Sequence, residues 1–235
     1  MEIQAIKTKI FPVNHNLIDF IRHHIKTLPE KSVLVVTSKI VALSEGRVRF
    51  CATAKEKDEL IKSECDFAIK TPHAWLTIKD GLALPSAGVD ESNGNGQIIL
   101  LPKNSFLAAA QIRRAIKKLY HLKKLGVIIT DSRLLPLRAG VVGIALGYAG
   151  FKGIRDYRGK PDIFGRKLQV SRTDIADSLA TAAVLLMGEG KERQPLAIIK
   201  NAPIEFTERV NPRELRIDIK KDIYRPLFEQ LKNQV

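Results

Sequence analysis

Asp131 and Ser132 are the residues whose setting first suggests chemistry. They follow Ile128, Ile129 and Thr130, so an apolar, β-branched run ends abruptly in an acid and a hydroxyl. Such a run predicts a buried strand that delivers both side chains at its C-terminal end, where open sheets place ligands. Downstream come an apolar, glycine-rich stretch from Gly140 to Gly150, a polar strip from Arg155 to Asp162, and then Ile163 to Arg166. An acid on a rigid strand end, facing basic side chains and flexible backbone, suits a metal–phosphate site. The same acid could equally cap a turn, and the segment alone leaves the two readings even.

Two further segments carry suitable groups. Ser38 and Lys39 follow an apolar run, Ser32 to Thr37, where backbone amides and a lysine could hold a phosphate; a plain surface turn is the reading favoured by those residues alone. Pro85 to Gly96 is too small and polar to form core and is expected to be a loop. Within it Asp90, Glu91 and Asn93 offer three oxygen-bearing side chains in four positions. Hard cations want oxygen ligands, although a polar turn is the simpler account. No phosphate-binding loop of the G-x-x-x-x-G-K-[ST] type occurs: Gly188 to Lys191 is too short, and Gly94 and Gly96 lack the third glycine of a dinucleotide fingerprint.

The elements that must position these groups follow from periodicity. Residues 3–11 alternate like a half-buried strand, and Asn16 caps a helix through about Thr27. Ser32 to Thr37 is a buried strand. Glu56 to Lys70 reads as one amphipathic helix, and His73 to Leu84 as a hairpin turning at Lys79, Asp80 and Gly81. Trp75, the single tryptophan, reads as a packing residue. Gln97 to Leu101 is a strand. Ser105 caps a helix through about Lys124, whose exposed face carries Arg113, Arg114, Lys117, Lys118, Lys123 and Lys124. This is the chain's best nucleic-acid feature, but it lacks interleaved aromatics and reads better as a solvated face. Thr173 or Asp174 caps a helix from Ile175 to Met187, Pro195 to Lys200 is a strand, and a short helix is expected in the tail beyond Asn211. Strands and helices mix without strict alternation, so the class is α+β: mixed sheets with packed helices.

Composition sets the bounds. The 235 residues make one large domain or two small ones, with ample core. The formal net charge of +14 favours anionic partners, nucleic acid or phosphate-bearing small molecules. Only Cys51 and Cys65 are present, and the five histidines form no ligand pattern, so neither a disulfide framework nor a zinc site is expected. Low cysteine usage and the lack of a signal-peptide pattern point to the cytoplasm. The longest apolar run, Ala139 to Phe151, is too short and glycine-rich to span a bilayer, and Gly143 and Gly147 stand at G-x-x-x-G spacing outside any membrane span.

Taken together and in order, these segments resemble the coenzyme F420 gamma-glutamyl ligases. The likeness rests on Thr37 to Val41 with Glu45 to Arg47. It continues in Ala87 to Asn93, Leu100 to Pro102 and Gln111 to Arg113, then in Thr130 to Ser132 with Pro136 and Arg138. Ala145 to Gly150, Asp156 to Gly159, Asp162 to Arg166, Ala176 and Asp177, and Met187 to Glu189 complete it. The resemblance implies a single catalytic domain over residues 1–235, with two intertwined subdomains, that forms an intertwined homodimer. It implies an amide ligase: GTP activates the terminal carboxylate of a deazaflavin coenzyme precursor as an acyl phosphate, and the amine of L-glutamate then attacks. It also implies two divalent ions, magnesium or manganese. Carried over by position, the catalytic acids Asp90 and Asp131 would hold one ion, and Ser132 and Glu189 the other. Ser38, Lys39, Asn93 and the segment from Met187 to Gln194, with Gly188, Gly190 and Lys191, would contact the nucleotide. The expected partners are thus GTP, L-glutamate and a phosphate-bearing carboxylate acceptor, without membrane or nucleic acid.

The chain departs from the family pattern at two places. Leu43 stands where the family has a lysine near the nucleotide, and Arg133, Leu134 and Leu135 follow Asp131 and Ser132 in place of the usual Phe-Gly-Arg. These departures keep open an alternative: a metal- and nucleotide-binding relative with a different acceptor or without ligase turnover.

Overall fold

In the computed structural model, which describes residues 1–226, the apolar runs of the sequence become one mixed sheet. The chain opens with β1 (Glu2–Ile6), passes through α1 (Leu17–His24), and enters β2 (Ser32–Thr37), which runs directly into α2 (Ser38–Ser44). A smaller unit follows: β3 (Val48–Arg49), α3 (Ala54–Ser63), β4 (Phe67–Lys70), β5 (Trp75–Lys79), β6 (Leu82–Pro85) and β7 (Ile98–Ile99). The chain returns through α4 (Ser105–Leu119), β8 (Leu125–Leu134) and β9 (Val141–Ala149). The ladder of β10 (Ile154–Asp156) and β11 (Arg172–Asp174) leads into α5 (Ile175–Met187), and β12 (Leu196–Lys200) completes the main sheet. Its order is β1-β12-β2-β8-β9, with β2 and β8 parallel and all other neighbours antiparallel. The class is α+β, as the sequence predicts.

Period-two alternation sorts the strand residues onto two cores. Leu34, Val36, Val127, Ile129, Leu196 and Ile198 pack with α1, α2 and α4. Val33, Val35, Ile128, Ala197 and Ile199 pack with α5. Each such aliphatic side chain contributes about 1.5–3 kcal/mol on burial, so a one-residue slip of any central strand would exchange both faces and is strongly opposed. The small unit joins the main sheet through a third cluster, in which Leu84 and Leu101 meet Ile144 and Leu146 of β9.

The register between β8 and β9 shifts once. Ile129 pairs with Gly147 but Thr130 pairs with Ala145, which leaves Leu146 as an extra residue on β9. Such a bulge reverses which residues face which side. Gly147 therefore lies under α4, where a Cβ would sit 2.6 Å from the Phe106 backbone nitrogen, and Gly143 lies under α5, where a Cβ would sit 2.7 Å from the Ala180 carbonyl oxygen. The G-x-x-x-G spacing is thus a packing device that lets a helix approach each face of one strand.

Several local expectations are corrected. Residues 3–11 are strand only as far as Ile6, and α1 stops at His24 although Asn16 caps it as predicted, accepting from the Ile18 and Asp19 amides at 2.9 and 3.1 Å. The segment after Thr37 is a helix, not a turn, because Ile40, Val41 and Ala42 are buried together. The predicted helix from Glu56 to Lys70 divides: α3 is capped by Thr53 and ends at Ser63, and residues 67–70 pair with β5 instead. Asn104 rather than Ser105 caps α4, which stops at Leu119. Arg113 is not on the solvated face but 9% exposed. Its Nε donates to the Leu125 carbonyl at 2.7 Å and its two terminal nitrogens grip Glu208 at 2.8 and 2.7 Å. Of the tail in which a short helix is expected, residues 211–226 are described and hold a 3-10 turn at Ile219–Lys221, and the remainder lies outside the described residues. Among the described residues no helix is long and apolar enough to cross a membrane.

Candidate active site

The candidate site is made where β2 stops and β8 does not. The parallel pairing of β2 with β8 ends at Thr37 opposite Thr130, and the chain turns into α2. β8 continues through Asp131, Ser132, Arg133 and Leu134, now paired on one side only, with β9. Asp131 therefore does not sit at a strand end as expected, but just past the end of the neighbouring strand. Consecutive strand residues point to opposite faces, so Asp131 turns toward Ser38 and Lys39 at the start of α2, and Ser132 turns toward the loop after α5. Both faces open onto one cleft of about 880 Å³, lined by Ser38, Lys39, Asp90, Asn93, Asp131, Ser132, Glu189 and the rest of the Met187–Gln194 segment.

On the first face the partners are closely set. Asp90 is fixed by its backbone, exchanging hydrogen bonds of 3.0 and 2.8 Å with Ile99 beside β7. Lys39 Nζ stands 2.7 Å from Asp90 Oδ2, and also donates to the Ser92 carbonyl and hydroxyl at 2.8 and 3.0 Å. Ser92 returns its amide and hydroxyl to Asp90 at 2.7 and 2.9 Å. Burial works to raise the Asp90 carboxyl, yet Lys39 and the Ser92 amide outweigh it and hold the group below the ordinary aspartate range. Asp131 lacks such compensation. Burial, with the like charge of Asp90 adding to it, pushes it up to about 6 against the opposing Ser132 amide, Ser38 hydroxyl and Lys39.

On the second face, Ser132 Oγ donates to Glu189 Oε1 at 2.6 Å. Glu189 is delivered by the end of α5, where Gly188 adopts φ 79° and its amide still donates to Val184 at 2.9 Å. The Glu192 carboxylate folds back to accept from the Gly190 amide at 2.8 Å.

The structure thus brings the candidate side chains around one cleft, but not as a single knot. Among the described residues no three His, Cys, Asp or Glu side chains gather into a cluster able to hold a metal ion. The acids at 90, 131 and 189 fall into two groups, Asp90 with Asp131 and Glu189 with Ser132, divided by β8. Glu91, read with them as a possible oxygen ligand, turns away and pairs with Lys57 at 2.8 Å.

The donor set suits hard cations. It is all oxygen, the half-buried Asp131 carboxylate lacks full compensation, and the buried Thr130 hydroxyl, on the other face of β8, has no hydrogen-bond partner. Magnesium-type ions take one or two carboxylates and complete their shells with phosphate and water, which matches two sparse half-sites better than a closed cage. Sequence reasoning gave Ser92 and Thr130 no role, and named Glu192 only as part of the Met187–Gln194 segment. Only Ser92 left a trace, through the Asp-x-Ser spacing that favours a side-chain-to-backbone turn.

A family model described as F420-0:Gamma-glutamyl ligase matches residues 5–201. A relative from Methanococcus maripaludis strain C6, named Coenzyme F420:L-glutamate ligase, is 35% identical over 216 residues, covering 84% of this chain and 86% of its own length. Relatives of the same name from Methanopyrus kandleri and Archaeoglobus fulgidus are 33% and 31% identical, covering 84% and 83% of this chain and 87% and 88% of their own lengths.

Proposed function

The chain belongs to the F420-0:gamma-glutamyl ligase family, and from that premise we propose that it joins L-glutamate in amide linkage to a carboxylate of a deazaflavin coenzyme precursor, with GTP as the activating nucleotide. The acceptor carboxylate oxygen attacks the γ-phosphorus, the β–γ bridging bond breaks, and GDP departs. The glutamate amine then attacks the acyl carbon, phosphate leaves, and the amine loses its proton. The observation that supports this reading is the convergence of three distant segments, 38–39, 90–93 and 187–191, on the two faces of β8 at Asp131 and Ser132.

Phosphoryl transfer asks a protein mainly for positioning and charge neutralisation. Asp90 and Asp131 would hold one divalent ion, and Ser132 and Glu189 a second. Such ions supply charge neutralisation on the transferring phosphoryl group. Lys39, already oriented by Ser92, releases Asp90 and turns to a phosphate oxygen when nucleotide enters. The Gly188 and Gly190 backbone allows close approach of the nucleotide to the loop after α5. Ile10, Phe11, Ile40 and Leu43 give the cleft an apolar end suited to the base.

The protein acts as a homodimer in this reading. Leu134 at the end of β8, Leu135 and Leu137 on the β8–β9 connection, and Ile163 and Phe164 between β10 and β11, are exposed apolar side chains that a second copy would cover.

The direct test incubates the protein with GTP, L-glutamate, the deazaflavin precursor and Mg²⁺ or Mn²⁺, and looks by mass for the acceptor carrying one added glutamyl residue. Absence of that product with GTP and with ATP would remove the ligase assignment on this acceptor. One observation favours a second reading, a nucleotide binder with another acceptor or no turnover. Leu43 lines the cleft and carries no charge for a phosphate. Calorimetric nucleotide binding without phosphate release would select it.

A further inference from the structure

Lys39 is the second residue of α2, and Ile40, Val41 and Ala42 bury the helix behind it, so its Cα is fixed while its head reaches into the cleft. The head lands on the opposite wall. Nζ stands 2.7 Å from Asp90 Oδ2, 2.8 Å from the Ser92 carbonyl oxygen and 3.0 Å from the Ser92 hydroxyl. An ammonium has three protons to donate and no lone pair, and here three oxygens stand ready to accept them.

The seat has its own supports. Asp90 exchanges backbone hydrogen bonds with Ile99, and the Ser92 amide and hydroxyl donate to the Asp90 carboxylate at 2.7 and 2.9 Å. With the lysine withdrawn, the seat offers carboxylate, carbonyl and hydroxyl oxygen, the ligand types that a hard divalent cation takes. Asp131 lies close enough to feel the charges of both Asp90 and Lys39. One ammonium thus serves two neighbouring carboxylates.

We propose that the Lys39 ammonium is a built-in stand-in for the divalent ion at Asp90, one that leaves its seat when a phosphate group draws it across the cleft. The proposal rests on the reading of Asp90 and Asp131 as ligands of one ion. Lys39 then competes with that ion from within the chain, and the ion's apparent affinity falls by the fraction of molecules whose lysine is out. Phosphate binding raises that fraction. Ion and phosphate ligand therefore strengthen one another at equilibrium, by equal factors.

Lys39→Met tests this, because one substitution is expected to act with opposite signs on two ligands. The Lys39 side chain is 27% exposed, so methionine replaces its stem without opening the core. Mn²⁺ titrated into the full chain without nucleotide, with the free ion read by electron paramagnetic resonance, should bind the variant roughly tenfold or more tighter than the wild type, since no charged contact has to be broken first. GDP titrated in chelator by calorimetry should bind the variant roughly tenfold more weakly, for want of that contact. Lys57→Met removes an equal charge from the same loop, where Lys57 pairs with the exposed Glu91 at 2.8 Å. Its Mn²⁺ Kd should stay within about twofold of the wild type, because a solvent-exposed charge is screened. Equal Mn²⁺ affinity in the wild type and Lys39→Met would overturn the proposal and leave the metal reading standing. Weaker Mn²⁺ binding by Lys39→Met would make the lysine a support of the seat, and equal tightening by Lys57→Met would make the effect one of bulk charge; each overturns it, as does unchanged GDP affinity in Lys39→Met. No Mn²⁺ binding by either protein would remove the metal reading of Asp90 and Asp131, and the proposal with it.

Discussion

Replacing Asp131 with asparagine should stabilise the metal-free protein at neutral pH while removing its response to divalent metal. The carboxyl is raised from an ordinary 3.8 to about 6 by burial and by the charge of Asp90. In the unfolded chain the group ionises near its ordinary value. Between the two values the folded state therefore keeps a proton that the unfolded state has released, and stability falls as pH climbs through that window. Above about pH 6 the loss is complete. The full difference is worth about 3 kcal/mol at roughly 1.4 kcal/mol per tenfold change in proton affinity; contact with the solvent-filled cleft reduces it to about 1–3 kcal/mol. Asparagine keeps the size and can still accept from Ser38, without the charge. Urea unfolding in chelator should show a gain of about 1–3 kcal/mol at pH 7.5 and none near pH 3, with a rise in Tm of roughly 2–4 °C per kcal/mol. Adding Mn²⁺ should reverse the order, because an ion that binds only the folded wild type stabilises it by mass action. An asparagine variant that is no more stable at pH 7.5 without metal would show that Asp131 is not an uncompensated charge. One that is stabilised by Mn²⁺ as much as the wild type would show that it is not a ligand.

Three other outcomes are expected. Lys39→Met removes the 2.7 Å partner of Asp90, so the Asp90 carboxyl should rise in an NMR titration and GTP affinity should fall roughly tenfold by calorimetry, the loss of one charged contact. Gly147→Ala places a Cβ 2.6 Å from the backbone at the start of α4 and should cost about 1–3 kcal/mol in denaturant unfolding, whereas Gly190→Ala, whose nearest neighbour is the Glu192 side chain at 3.4 Å, should change stability little. Glu208 is held down to about 2 by Arg113 and Lys117, so it contributes stability above its unfolded pKa that is lost as pH falls toward 2. Since its side chain is 69% exposed, Glu208→Gln should cost about 1 kcal/mol or less at pH 7 and nothing at pH 2; an equal cost at both would refute the ion-pair account.

The sequence is most legible where one side chain or one period decides the outcome. β2 runs from Ser32 to Thr37 as its apolar run requires, the hairpin turns at Asp80 and Gly81 with φ of 53° and 77°, and Asp174 caps α5 through the Asp177 amide. Legibility fails where a distant partner decides. No local pattern ends α3 at Ser63; Arg47 and Lys79, which hold Glu64 at 2.7 Å, help to do so. Arg113 looks like its solvated neighbours until Leu125 and Glu208 are placed beside it. The candidate site shows both cases. Its segments were recognisable from residue types in order, but the division of the acids by β8 depends on where β2 stops and on the register of β9, which no single segment states.

The one-residue excess at Leu146 has a consequence for how this chain can change. Upstream and downstream of it, β9 is read in opposite frames. Trimming a single codon there would leave an apolar strand of adequate length and familiar composition. With Leu146 itself removed, Ile129 stays opposite Gly147 and Thr130 opposite Ala145, so both glycines keep their faces, whereas removing Gly147 instead would drive Leu146 beneath α4 into a gap that admits only hydrogen. An indel scan across residues 145–147 should therefore tolerate the loss of residue 146 far better than the loss of residue 147.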